Sequence, residues 1–398
     1  MTSSLAQRVA RNTAWFTVGS ILQKGISLVY FTIVARAFGV TGTGRYFFAL
    51  TFTALFAVLA DWGIAAVLTR EIAKDRERGS MLIAPAFLLK CAFSIVTVIS
   101  ITTVAWVSGY PLETRAMIAV ATLVLVMDSM HIGLYGLLRG VQRVHYEAMG
   151  LVIGQAVLAA SGIGILVHIG GLTFAPAEGV ALHLTRAISP LWLLVPYLAT
   201  STTNIVIALI GCARERMRPV WRPAGIAARA RSLLVTATPF ALSGILARIY
   251  TYSDTFLLSL LAVESAVGFY SMPFKIGFVF QFIPLAFMGA LYPAMSAVAH
   301  RSLEELRVLF EQATRILVVI ALPISVGIVV LAPRIIHVFY GDAFAPSVIP
   351  LVILMCALPF IFTNFPAGNL LNACDRQATN TRLVALATTV NLFANFLL

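Results

Sequence analysis

Charge is scarce in this 398-residue chain: Asp, Glu, Lys and Arg make up 11% of it, against about 25% in a soluble domain. Hydrophobic residues make up 60%, more than one soluble core can hide, because cores stop growing near about 250–300 residues. That balance excludes a soluble enzyme, a nucleic-acid reader and a disordered regulator. Cysteine is equally sparse. Cys91, Cys212, Cys356 and Cys374 lie far apart in or beside apolar runs, so they offer neither a disulfide framework nor metal-ligand spacing. The six histidines are scattered, and no Gly-rich phosphate loop, HExxH or GxSxG motif is present. No catalytic residue, metal or cofactor is expected.

Long apolar runs are what the chain does have. A helix needs about 20 apolar residues to cross about 30 Å of hydrocarbon. Eleven candidates meet this: 12–35, 44–68, 81–109, 116–138, 148–170, 188–212, 233–261, 265–298, 313–333, 346–370 and 383–398. The expectation is an all-α polytopic membrane protein. The N-terminus does not read as a cleaved signal, since its apolar stretch is interrupted by Gln23-Lys24. The last run stops as NLFANFLL with no polar tail, which reads as an incomplete C-terminal half.

The formal net charge of +12 reflects topology. With the N-terminus cytoplasmic, the inner connections hold 19 of the 28 Lys and Arg and the outer ones 5, as the positive-inside rule requires. The longest inner connection, Ala213–Ser232, is Arg-rich and carries PVWRPAG. It reads as a linker lying on anionic headgroups. The longest outer one, about Gly171 to Ala187, is too short to fold as a catalytic domain.

Comparing the chain with itself reveals a duplication at an offset of 224 residues, which lays Lys24 on Arg248, Gly44 on Gly268 and Tyr46 on Tyr270. Six spans precede the linker, so both halves enter the membrane in the same sense, the parallel type of transporter repeat. This predicts two pseudo-symmetric six-helix lobes, 1–224 and 225–398, the second ending short of a full repeat near residue 448. In the first span Thr13, Thr17, Ser20, Lys24 and Ser27 form one polar stripe. Its equivalents, Ala237, Ala241, Gly244, Arg248 and Thr251, form a small-residue stripe again centred on a cation. Such stripes face a cavity or another helix.

Charges inside the membrane cost roughly 2.5–3.5 kcal/mol each on insertion scales. The set comprises Lys24, Asp61, Lys90, Asp128, Arg248, Asp254 and Lys275, with Glu264 at an edge. Two readings stand for Asp61, Asp128 and Lys90: neutralising ion pairs between helices, or functional groups. For Lys24 and Arg248 the functional reading is favoured, since they occupy equivalent places with no acid one turn away. Such cations fit an anionic ligand, and a pyrophosphate is the natural one. Asp254 and Asp61 are candidates for an ion- or proton-coupling carboxylate. Asp128 and His131, three residues apart, form either a proton relay or a structural pair. Pro273, Pro284 and Pro293 interrupt the eighth span and bend it.

Two stretches carry a family resemblance. VARAFGVTGTGRYFFALTF at 34–52 followed by ADWGIAAVLTREIA at 60–73 resembles the N-terminal signature of bacterial polysaccharide (O-antigen type) flippases. These belong to the multidrug/oligosaccharidyl-lipid/polysaccharide exporter superfamily. The stretch 237–299, with Asp254, GFY at 268–270, Lys275 and Pro293, is similar to that family's seventh and eighth spans. The resemblance implies two lobes around a cationic central cavity, and alternating-access flipping of undecaprenyl-pyrophosphate-linked oligosaccharide across the inner membrane. Carried over by position, Lys24, Arg248 and Lys275 would line the cavity, and Asp61 and Asp254 would be charge partners or coupling sites. A coupling ion, H⁺ or Na⁺, and contact with a polysaccharide polymerase are further implications; nucleic acid is not a partner, and a monomer is expected. The alternatives are a cation-coupled multidrug exporter, whose cavity should be acidic, and a lipid II flippase. A membrane polymerase or ligase would need a large periplasmic loop.

Overall fold

The computed structural model describes residues 2–175, 181–217, 225–299 and 301–397. The side chains of Arg8, Arg11, Thr13 and Arg78, and the linker segment 218–224 with Arg218 and Arg222, lie outside the described residues.

Fourteen helical stretches follow in chain order among the described residues. They are α1 (Thr2–Leu55), α2 (Ala57–Asp61), α3 (Ile64–Lys74), α4 (Arg76–Ser80), α5 (Ile83–Val107), α6 (Leu112–Gly140) and α7 (His145–His168). After these come α8 (Val195–Arg214), α9 (Ile226–Leu261), α10 (Glu264–Phe280), α11 (Phe282–Val298), α12 (Leu303–Tyr340), α13 (Val348–Ala373) and α14 (Gln377–Leu397). Nine helical stretches among the described residues are long and apolar enough to cross a membrane. Between α7 and α8 a short strand, Leu172–Ala175, pairs with Ala181–Leu184.

The structure redraws two of the expected spans. The first two stay separate, since α1 is two helices that meet at Gly39 (φ 64°, ψ −167°), a conformation that favours glycine. The second span, expected over 44–68, is broken. Helix α2 ends at Asp61, Trp62 and Gly63 take positive φ (47° and 72°), and α3 starts afresh at Ile64. The eighth span, expected over 265–298, divides at Gln281 into α10 and α11. Pro284 explains that division, because its ring has no N–H to offer the Phe280 carbonyl four residues back. Elsewhere helices outrun their hydropathy. Helix α12 begins ten residues before the expected 313, capped by the Ser302 hydroxyl accepting from Glu305 N–H at 3.2 Å.

The chain forms two compact units. One comprises residues 1–30, 45–173 and 184–261; the other comprises 31–44, 174–183 and 262–398. In the first, Ile64, Val67, Leu68, Tyr135, Leu138, Ala208, Leu233 and Ala237 make one buried cluster from α3, α6, α8 and α9. In the second, α12 packs on α13 through Leu317, Ala321, Leu351, Met355 and Phe362, all almost fully buried. There the Ser325 hydroxyl donates to the Met355 carbonyl at 2.6 Å. Within the same unit Arg36 donates to the carbonyls of Val338 and Phe339, the latter at 2.7 Å. A guanidinium at the end of α12 suits both the orphan carbonyls and the negative end of the helix dipole.

Glycine sets one close crossing in that second unit. A Cβ on Gly44 would come within 2.6 Å of the Glu264 carbonyl, and one on Gly268 within 2.2 Å of the Val40 carbonyl. Residues 40 and 44 lie 224 before 264 and 268, so the contact is reciprocal, the local relation expected between helices related by a two-fold axis.

Candidate functional site

The helix break at 61–63 is the most chemically loaded part of the first unit. Non-helical backbone at membrane depth leaves polar groups that must be satisfied by protein. Here Asp61, the last residue of α2, accepts from the Ala65 N–H at 3.4 Å at the start of α3, where the helix dipole favours a carboxylate. Its other oxygen takes the Lys90 ammonium from α5. The Lys90 side chain is only 4% exposed, so a neighbouring carboxylate is needed to keep it charged there. Two residues of α6 complete the arrangement. Ser129 donates to the Ala60 carbonyl at 2.8 Å. Gly133 makes room for the Lys90 stem, since a Cβ there would sit 2.8 Å from Lys90 Cε.

Helix α9 closes over the break. A Cβ on Gly63 would meet Phe240 Cβ at 2.8 Å and the Ala237 carbonyl at 3.0 Å, and Gly244 faces Val58. The small-residue stripe of the seventh span therefore receives another helix in its first half. Trp62 stacks on Phe93 with 5.1 Å between ring centroids and an interplanar angle of 9°. Its indole N–H reaches the Thr238 hydroxyl at 3.4 Å. The stripe of the first span behaves similarly near Gly19, which packs on the backbone of Ala148.

Deeper in α6, Asp128 accepts from the Ser201 hydroxyl of α8 at 2.6 Å and lies 3.5 Å from His131 Nδ1. Tyr135 donates to the Asn204 side-chain oxygen at 2.9 Å. At the end of α6, Arg139 grips Glu147 through two 2.6 Å hydrogen bonds, the bidentate geometry only arginine offers. Tyr46 and Tyr197 share a 2.5 Å hydrogen bond between hydroxyls.

The proposed anion-binding cations occupy different surroundings. Lys24 is half-buried on α1. Arg248, half-buried on α9, lies 5.7 Å from the centre of the Tyr252 ring, and its Nη1 is 3.5 Å from that hydroxyl. Lys275, in the second unit, sits 5.4 Å from the centre of the Phe31 ring. An aromatic face attracts a cation through the ring quadrupole. Asp254 is half-buried on α9, six residues beyond Arg248. Sequence reasoning selected Asp61, Lys90 and Asp128 one by one; the structure joins Asp61 to Lys90 and Asp128 to Ser201. It missed Ser201, Asn204 and Tyr197, ordinary polar residues marked only by their presence in an apolar span. Among the described residues no cluster of His, Cys, Asp and Glu could hold a metal ion.

Comparison with known proteins decides the family. Residues 9–299 match the model of a family described as polysaccharide biosynthesis protein. The chain belongs to that family. A relative over nearly the whole chain is a probable low-salt glycan biosynthesis flippase, Agl15, from Haloferax volcanii. It is 19% identical over 391 residues, which cover 98% of this chain and 77% of the relative. Among solved structures, the lipid II flippase MurJ in an inward closed conformation superposes with a TM-score of 0.71 at 14% identity, covering 95% of this chain and 80% of that one. An inward-facing MATE family multidrug transporter of the MOP superfamily gives 0.67 at 15% identity, covering 95% and 84%. A Vibrio cholerae MATE transporter gives 0.64 at 17%, covering 97% and 87%. The family member described here is a multi-pass membrane protein with the two-lobe helical fold of MOP superfamily transporters.

Proposed function

We propose that this protein flips undecaprenyl-pyrophosphate-linked oligosaccharide units from the cytoplasmic to the periplasmic leaflet of the inner membrane, by alternating access, for surface polysaccharide synthesis. The observation that carries the reading is the environment of Arg248. A guanidinium within a membrane span, held over the Tyr252 ring, keeps its charge for an anionic group. Lys90 contrasts with it, because its charge is spent on Asp61. The family match and the similarity to a glycan flippase support a glycan-bearing substrate. In this reading Lys24, Arg248 and Lys275 receive the pyrophosphate or acidic sugars, the N-terminus is cytoplasmic, and 1–224 and 225–398 act as two repeats. The reciprocal Gly44–Gly268 crossing supports those repeats. Asp254, Asp61 and Asp128 act as charge partners or as sites of coupling to H⁺ or Na⁺, and a polysaccharide polymerase is the next partner.

Complementation of a host lacking its own flippase tests this. The chain should restore surface polysaccharide, whereas Lys24→Ala and Arg248→Ala should abolish it while still inserting into the membrane. Wild-type polysaccharide in both variants would overturn the anion-site reading.

A further inference from the structure

An apolar cavity of about 500 Å³ opens in the first unit between α3, α5, α6 and α8, and neither Lys24 nor Arg248 lines it. Leu68, Ala86, Leu137, Cys212, Met130 and the buried Lys90 line it, and Phe87 and Leu209 form its exposed rim. Phe87 and Leu209 are each 51% exposed, and so are their span neighbours Leu88, Val206 and Ile210 at 45–48%. On membrane-spanning helices such a rim faces hydrocarbon, so what enters the cavity is a hydrocarbon chain. Its axis has a polar and an apolar end. From Ile83 at the start of α5 to Lys90 the cavity follows seven residues of helix, roughly 10 Å at 1.5 Å per residue. Asp61 neutralises Lys90 there, so nothing draws an anion inward.

The shallow end differs. Helix α8 stops at Arg214, and Arg216 takes a left-handed φ of 54° so that Met217 N–H can return to the Cys212 carbonyl at 2.8 Å. That turn tucks Met217 into the cavity wall and leaves Arg214 and Arg216 exposed beside it. Glu215 between them is already engaged by Arg143 at 2.7 Å, and its carbonyl by Arg76. Glu215 is thus held by Arg143 and Arg76, while its sequence neighbours Arg214 and Arg216 stay exposed at the end of α8.

We propose that this cavity is a binding site for an anionic phospholipid, with one acyl chain between α5, α6 and α8 and the headgroup phosphate on Arg214 and Arg216. The occupant is a resident membrane lipid, distinct from any transported substrate, and the site stands independently of the transport reading. Bound there, the lipid would brace α5, which carries Lys90, against α3, α6 and α8.

Native mass spectrometry of the purified chain, titrated with phosphatidylglycerol or phosphatidylcholine, tests the proposal. One phosphatidylglycerol should be retained in preference to phosphatidylcholine. Arg214→Gln with Arg216→Gln should weaken it about 30-fold, from about fivefold per arginine at a lipid surface. Ala86→Leu, which fills the cavity, should remove it; if that variant does not fold, the arginine pair and the headgroup comparison decide alone. Equal retention of both lipids, or no change in the arginine variant, would overturn the proposal. Displacement of phosphatidylglycerol by equimolar polyprenyl phosphate would also overturn it, assigning the cavity to a substrate tail.

Discussion

Gly44 and Gly268 face each other across a helix crossing so tight that a Cβ on either would strike the opposing backbone, at 2.6 Å and 2.2 Å. Membrane helices lack a hydrophobic drive to associate with one another, and small residues that let backbones approach supply the packing instead. The same two positions are the ones that the 224-residue offset superimposes.

Gly44→Ala and Gly268→Ala should therefore each destabilise the protein, by about 1–3 kcal/mol for an overpacked contact. Gly25→Ala, on the helix that precedes Gly39, meets nothing within 4 Å and should be neutral or gain up to about 1 kcal/mol of helix propensity. Thermal unfolding in detergent distinguishes them; equal melting temperatures for Gly44→Ala and Gly25→Ala would contradict the crossing.

The buried Lys90–Asp61 pair should show strong coupling. Removing one partner of a buried ion pair costs about 3–5 kcal/mol, whereas removing both is often nearly neutral. Lys90→Met and Asp61→Asn alone should lower stability and yield sharply, and the double variant should recover most of the loss. Additive single losses would mean that the pair does not hold α2 to α5.

Gly133→Ala should act through the same pair, because the new methyl would sit 2.8 Å from Lys90 Cε. Its destabilisation should largely vanish in the background of the Lys90→Met, Asp61→Asn double variant. A penalty of the same size in both backgrounds would place the clash elsewhere.

Hydropathy made most of the fold legible, because each span must hide its backbone in lipid and the required length is fixed. It could not reveal the break at Trp62-Gly63, since Val58, Leu59, Trp62 and Ile64 continue the apolar run straight through it. Nor could it extend α12 back to Leu303, where Glu304, Glu305 and Arg307 favour helix by propensity and capping rather than by burial. The charged residues were legible one at a time and their partners were not. Lys90 lies 29 residues from Asp61, and Ser201 lies 73 from Asp128. Such pairs are set by which helices pack, and that information is in the side-chain shapes of several elements together.

At the transport site, a guanidinium and an ammonium are not equivalent. Arg248→Lys should retain part of the activity, since the charge remains but the guanidinium's contact with the Tyr252 ring and hydroxyl is lost. Arg248→Ala should reduce transport at least about tenfold, the weight of one charge-assisted hydrogen bond. Polysaccharide yield in the complemented host reads the order wild type, Lys variant, Ala variant; a Lys variant no better than Ala would make the planar fork itself essential.

The most direct measurement is flipping by the purified protein in liposomes, using a fluorescent pyrophosphate-linked glycolipid whose outer-leaflet label is bleached by a membrane-impermeant reductant. The account predicts that the wild-type chain renders nearly all the label bleachable, whereas Lys24→Ala and Arg248→Ala leave the inner half protected. Protection in the wild type equal to that of protein-free liposomes, or full bleaching in both variants, would contradict it.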